Sequence, residues 1–204
     1  MLGPRTSNLF EIESQARVNL AENYLMKGEW QQALEYYEMV YQNVRKPEYF
    51  FVRWRWKPRC LLGLAELWLY QENLTKAQAY LDEVIEHGWT HKFPYKKYQV
   101  RSGRLQGNIF AARGKFEEAQ TVLQQTLKLA EQLGNPIQLW KTCQALGNLY
   151  LQQGKTKDAG SRFRDAIKIV QSIADDLTDP GLKEGFIQSE PIRQVFAQAK
   201  GKTK

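Results

Sequence analysis

The chain has 204 residues, of which 43% are hydrophobic, so it can bury a core as one large domain or one repeat array and is not a disordered chain. Its 29 basic and 22 acidic residues give a formal net charge of +7. It has two cysteines, no run of 18 apolar residues, and no N-terminal basic region followed by an apolar one. These features predict reduced thiols, no membrane span, no signal peptide and a cytoplasmic location.

Helical periodicity begins near the N-terminus and continues along the chain. Apolar residues recur at spacings of three and four, and a Gly or Pro signal interrupts them every 15 to 20 residues. This pattern indicates helices joined as hairpins, and the alternation of a β-strand does not persist anywhere. We therefore predict an all-α protein.

Four segments repeat one spacing of small and bulky residues. In chain order they are Leu20-Ala21-x-x-Tyr24 with Ala33-x-x-x-Tyr37, Leu64-Ala65-x-x-Trp68 with Ala77-x-x-x-Leu81, Gly107-x-x-Phe110 with Ala119-x-x-x-Leu123, and Leu146-Gly147-x-x-Tyr150 with Ala159-x-x-x-Phe163. Small residues at both places let two antiparallel helices approach closely. Gly28, Glu72, Gly114 and Gly154 fall at the turn between each pair, where a glycine ends a helix in the left-handed conformation.

This pattern resembles the tetratricopeptide repeat over about residues 14–177, most completely in the fourth segment. The resemblance implies a right-handed α-solenoid of about four helical hairpins. Successive alanines lie 44, 42 and 40 residues apart, against a usual repeat of 34. That longer spacing is similar to the repeat arrays of large bacterial signalling ATPases and transcriptional regulators.

The C-terminal part of the sequence predicts short closing helices. Asp179 before Pro180 and Ser189 before Pro191 are signals of helix starts. We assign residues 1–178 to the repeat array and residues 179–204 to capping helices and a basic tail. The Leu-Thr-Asp-Pro phrase that begins at Leu177 is similar to the end of the same bacterial regulators.

Two motifs of possible chemical function are incomplete. The stretch Gly154-Lys155-Thr156 ends like a phosphate-binding loop, but Leu149 stands where that motif needs its first glycine. His87 and His91 have the spacing of a zinc-binding helix, but Gly88 breaks the helix and no glutamate follows His87. We predict no enzyme, with no catalytic, metal or cofactor site.

The candidate binding surface follows from the resemblance, because first helices line the concave side of stacked hairpins. In the third and fourth repeats, the first helices form one stripe that contains Arg101, Arg104, Asn108, Lys141, Gln144 and Asn148. The first helices of the first and second repeats carry Glu22 and Glu66 instead. Cations and amides can hold a carboxylate and a peptide backbone by charge-assisted hydrogen bonds. We therefore predict a non-catalytic module that binds a protein or peptide partner through an acidic or carboxylate-ending segment.

Part of this stripe resembles a known clamp. Arg104 stands four residues before Asn108, which is similar to half of the two-carboxylate clamp of chaperone-binding family members. Ala145 lies where the next asparagine of that clamp is expected, so chaperone binding is not implied. The oligomeric state is left open.

Nucleic-acid binding is the alternative function. The stretches RWRWKPR, residues 53–59, and HKFPYKKYQVRSGR, residues 91–104, interleave basic with aromatic residues, as proteins that bind single strands do. Both are expected just before a first helix, where the aromatic rings would instead pack between hairpins with arginine stems along them. We favour that packing and the groove as the partner site.

Overall fold

The computed structural model describes residues 4–86 and 96–201, and all regular secondary structure in these ranges is helical. The helices are α1 (Pro4–Lys27), α2 (Trp30–Arg45), α3 (Phe50–Tyr70), α4 (Leu74–Glu86), α5 (Lys96–Ala112), α6 (Phe116–Leu133), α7 (Pro136–Gln152), α8 (Thr156–Asp176), α9 (Pro180–Gln188) and α10 (Glu190–Ala199), with a 3-10 turn at Pro47–Tyr49. The predicted all-α fold of paired helices is confirmed. Among these helices, none combines the length and the apolar character needed to cross a membrane.

The first of two compact units comprises Met1–Tyr98. Within it α1 packs on α2 and α3 packs on α4, while α1 and α2 both contact α3. Ala21 and Ala33 are fully buried where α1 meets α2, and Ala65 and Ala77 are fully buried where α3 meets α4. The repeat spacing predicted these close contacts between helices.

The second compact unit comprises Gln99–Lys204, in which α7 contacts both α6 and α8, and α10 packs on α8 and α9. The small residues of its two repeats, Gly107 and Gly147, each face a bulky side chain of the following helix. A Cβ added to Gly107 would lie 2.5 Å from Cγ of Leu123, and one added to Gly147 would lie 2.5 Å from Cε1 of Phe163. The glycines thus make room for the residue four positions beyond each alanine, a pairing more specific than the sequence pattern predicted.

The turns between paired helices have the predicted conformation. Gly28, Gly114 and Gly154 have φ of 75°, 73° and 72°. Glu72 takes the same role with φ 57°, and it is the only non-glycine residue with a positive φ in the described part of the chain. The left-handed turn is therefore kept in the second hairpin even though a side chain makes it less favourable.

The predicted C-terminal helix starts are confirmed. The side chain of Asp179 accepts a hydrogen bond from the Leu182 N–H at 2.8 Å and caps α9, and α10 begins directly after Ser189. The division of the chain at residue 178 and the hand of a superhelix stay predictions.

The prediction that the two basic stretches precede a first helix is wrong for RWRWKPR and also for residues 96–104 of the second stretch, which lie within α5. Helix α3 already begins at Phe50 and continues through Pro58, so residues 53–59 all lie within it. Proline is favoured in the first turn of a helix and disfavoured in its interior, because it has no backbone N–H to donate. Helix α3 nevertheless continues through Pro58. The zinc candidates His87 and His91, together with residues 92–95 of the second basic stretch, lie outside the described residues.

Candidate peptide-binding surface

Helices α5 and α7 meet through Arg104. Its Nη1 donates to Oε1 of Gln138 at 3.1 Å and lies 3.4 Å from Oγ1 of Thr142. Thr142 is fully buried, and its hydroxyl donates to the Gln138 carbonyl oxygen at 2.7 Å. Helices α5 and α7, the first helices of the third and fourth repeats, are therefore neighbours, as predicted, and Arg104 connects them by hydrogen bonds.

Arg104 is less accessible than the sequence suggested, since only 9% of it is exposed. The other five candidates, Arg101, Asn108, Lys141, Gln144 and Asn148, are all partly exposed. On α7 the neighbouring residues Trp140, Cys143 and Ala145 are buried, so Lys141, Gln144 and Asn148 lie on the face away from the core. We call the six candidates together the α5–α7 surface.

A residue that the sequence analysis missed joins this surface. Gln198 of α10 donates from Nε2 to Oδ1 of Asn148 at 2.8 Å, and its Oε1 accepts from Nε2 of Gln144 at 3.0 Å. These partners lie 50 and 54 positions away in the chain. No spacing rule links α10 to the repeats, so no local signal pointed to Gln198.

In the first unit, the corresponding stripe of first-helix residues contains an ion pair. Arg59 on α3 donates from Nε to Oε1 of Glu22 on α1 at 3.1 Å, and its Nη2 donates to Oδ1 of Asn19 at 2.8 Å. Glu22 was assigned to the stripe on its first helix, and its contact with Arg59 of the next first helix supports that assignment. In the first unit the stripe pairs its own charges instead of presenting an excess of cations.

Comparison with known families agrees with this arrangement. Family models of the tetratricopeptide repeat match residues 15–46, 104–137 and 142–180, which together make up just over half of the chain. The chain belongs to the tetratricopeptide-repeat family. Its α3–α4 hairpin lies outside these matches but buries Ala65 and Ala77 in the same way as the α1–α2 hairpin buries Ala21 and Ala33. No curated protein matches the chain with significant similarity.

Tetratricopeptide repeats generally form non-catalytic scaffolds for protein interactions, and the turn at Gly154 fits that role better than phosphate binding. The backbone N–H groups of Gly154, Lys155 and Thr156 donate to the carbonyl oxygens of Leu151, Tyr150 and Gly154, respectively. These are the groups that a phosphate-binding loop would turn toward its ligand. Among the described residues, no cluster of three or more His, Cys, Asp or Glu could hold a metal ion.

Arg53 in the first basic stretch serves the repeat fold. Its Nε donates to the Val44 carbonyl oxygen at 2.6 Å, and its Nη2 donates to the carbonyl oxygens of Arg45 and Lys46, each at 3.2 Å. These are carbonyl groups at the end of α2, where a helix lacks its own donors. Arg53 therefore caps a helix in this tetratricopeptide-repeat protein.

Three further residues of this stretch, Arg55, Trp56 and Lys57, also make contacts within the first unit. Arg55 pairs with Glu11 at 2.7 Å, and Lys57 pairs with Glu83 at 2.8 Å. Trp56 is 2% exposed, and its indole N–H donates to Glu11 at 2.9 Å. These contacts support packing within the repeats, because a buried ring cannot stack on a base.

Proposed function

We propose that the chain is a non-catalytic interaction module and that its α5–α7 surface binds an acidic protein segment ending in a free carboxylate. The observation that carries this proposal is the placement of two cations, Arg101 and Lys141, with three amides on partly exposed faces of two neighbouring helices. Cationic donors make charge-assisted hydrogen bonds to a carboxylate, and amides can pair with a peptide backbone. The surface therefore has the chemistry to recognise both the carboxylate and the backbone of such a segment.

We place this module in the cytoplasm, in bacterial signalling or transcriptional regulation. The support is the long repeat spacing of 44, 42 and 40 residues and the Leu-Thr-Asp-Pro phrase at Leu177, both similar to regulators of that kind. The partner would then be a domain or segment of the same regulatory system.

The carboxylate preference can be measured with synthetic peptides. An array of short Asp- and Glu-rich peptides, each made with a free and an amidated C-terminus, would be probed with the full chain. The best binder, labelled with fluorescein, gives affinities by fluorescence polarisation. A charge-assisted hydrogen bond is worth about 1.5 to 3 kcal/mol, so we expect the free carboxylate to bind roughly 10- to 150-fold more tightly than the amide.

Charge-reversal variants test whether the α5–α7 surface is where the peptide binds. Arg101→Glu and Lys141→Glu should each weaken binding of the labelled peptide by roughly tenfold or more, because each replaces a cation facing the ligand by an anion. Lys128→Glu on α6 and Lys168→Glu on α8 make the same change of net charge at exposed positions and should have little effect. Equal losses from both pairs would show a general charge effect and contradict the assignment. Arg104 is left intact because reversing a buried charge would also destabilise the fold.

Nucleic-acid binding is tested in the same assay with fluorescein-labelled single-stranded DNA. We expect weak binding that free peptide does not displace. Tight DNA binding that falls steeply with added salt, together with no peptide binding, would replace the proposed function by the alternative.

A further inference from the structure

We propose that Gln198 of α10 is a positioning residue of the α5–α7 surface. It fixes the side-chain amides of Gln144 and Asn148 so that α7 presents one acceptor and one donor, side by side, to the main chain of an extended peptide. This inference rests on the proposed function and adds a third helix to the surface.

The hydrogen bonds of Gln198 determine which atoms of its two partners remain for a ligand. Gln198 takes the donor Nε2 of Gln144, at 3.0 Å, and the acceptor Oδ1 of Asn148, at 2.8 Å. A carboxamide has an acceptor oxygen at one end and an NH2 donor group at the other. Because Gln198 holds the NH2 end of Gln144 and the oxygen end of Asn148, the opposite ends, Oε1 of Gln144 and Nδ2 of Asn148, point away from it and are the groups that we assign to a partner.

The spacing of these two residues suits a peptide backbone. Gln144 and Asn148 are four positions apart on α7, which places their Cβ atoms about 5 to 6 Å from each other on the same face. In an extended chain, the N–H and C=O of one residue point to the same side. The backbone N–H of a bound residue can therefore donate to Gln144 while its C=O accepts from Asn148.

The position of Gln198 is fixed by the core beneath it. Ile192 and Val195 of α10 are 2% and 0% exposed and belong to one apolar cluster with Trp140 and Val170. Gln198 lies three residues after Val195 and so on the next turn of the same packed helix. A side chain held in this way can orient its partners before the ligand arrives, and such preorganisation lowers the entropy lost on binding.

The isosteric change Gln198→Glu tests the orientation directly. A carboxylate can accept from Gln144 but cannot donate to Oδ1 of Asn148, so the Asn148 amide should flip to give its NH2 group to residue 198. Its oxygen would then face the ligand in place of the donor. We expect Gln198→Glu and Gln198→Ala each to weaken binding of the labelled peptide about five- to tenfold, with melting temperatures close to that of the unchanged protein.

Gln194 provides the matched control. It is an exposed glutamine of the same helix, and its Nε2 donates to Glu190 at 3.1 Å within that helix. Gln194→Glu adds the same charge to α10 as Gln198→Glu, and Gln194→Ala removes the same side chain. Both should bind the peptide like the unchanged protein. If Gln194→Glu weakens binding as much as Gln198→Glu, charge alone explains the loss and the positioning role is overturned.

A backbone-modified peptide then separates positioning from general stability. Methylation of one peptide nitrogen removes the N–H that we assign to Gln144, so it should weaken binding to the unchanged protein but weaken binding to Gln198→Ala much less. Additive losses at every methylated position would overturn the inference while leaving the proposed function in place. If the unchanged protein binds no peptide of the array, the proposed function fails and the positioning role fails with it.

Discussion

Among individual side chains, the two cysteines have the clearest chemical character. Cys60 and Cys143 are both free thiols and both buried, at 0% and 3% exposure. Burial raises the pKa of the Cys60 thiol far above its usual range and raises the pKa of Cys143 to about 11. Because the thiolate is the nucleophilic form, neither cysteine is a reactive group in the folded protein.

The raised pKa of Cys143 predicts a loss of stability at alkaline pH. Its folded pKa of about 11 exceeds the ordinary value of 9.0, so the folded state binds the proton more tightly and unfolding releases it. The stabilisation is complete below pH 9 and is lost as the pH rises from 9 toward 11. Urea midpoints measured across this range should fall, and they should fall less in Cys143→Ala.

Tyr41 and Tyr49, whose pKa values burial raises to about 12, change stability in the same direction at higher pH. The difference between the unchanged protein and Cys143→Ala isolates the thiol from these phenols. Identical pH profiles of the two proteins would contradict the assignment.

Between paired helices, the close approach of α7 and α8 depends on Gly147. A methyl group there would lie 2.5 Å from the Phe163 ring, whose side chain is buried and cannot move into solvent. We expect Gly147→Ala to lower the free energy of unfolding by about 1 to 3 kcal/mol, the usual range for overpacking a core. Denaturant unfolding gives this difference.

Gly160 of α8 is the matched control for this change. A methyl group there would meet only the flexible end of Arg164, at 3.4 Å. Alanine is favoured over glycine inside a helix by about 1 kcal/mol, so Gly160→Ala should be neutral or stabilising. If both alanine variants are equally stable, the contact of Gly147 with Phe163 does not limit the pairing of these helices.

Features with a local physical cause could be predicted from the sequence, and features that depend on how helices dock could not. The turns at Gly28, Gly114 and Gly154 and the cap at Asp179 each follow from a preference of one residue type. Continuation of α3 through Pro58 reverses such a preference. The continued helix makes contacts with carboxylates far away in the chain, such as that of Glu11, and a short-range sequence pattern does not predict such contacts.

The candidate surface shows the same division. The repeat spacing predicted which residues of α7 lie away from the core, because helical periodicity alone decides that. It did not predict that Arg104 is buried, since this depends on Gln138 and Thr142 of the next first helix. Nor did it predict Gln198, whose contacts require α10 to pack on the preceding hairpin.

Across the second unit, the capping helices contribute to the same core as the repeats. Ile192 and Val195 of α10 are buried in one cluster with Trp140, Cys143 and Val170. Fully burying each aliphatic side chain is worth about 1.5 to 3 kcal/mol, so these two together supply about 3 to 6 kcal/mol. Domains are typically stable by only about 5 to 15 kcal/mol. A cut at the predicted boundary of residue 178 should therefore weaken the whole second unit.

Truncation after Thr178 tests this dependence, with the two cysteines as reporters of the two units. Removing α9 and α10 uncovers the cluster that contains Cys143, so this thiol should react rapidly with N-ethylmaleimide, as mass spectrometry of the labelled peptides would show. Cys60 lies in the core of the first unit and should stay protected. Deletion of residues 202–204 alone is the control and should leave both thiols protected. If Cys143 stays as protected after truncation as in the full chain, the repeats of the second unit are stable without their capping helices, and residue 178 is a true domain boundary.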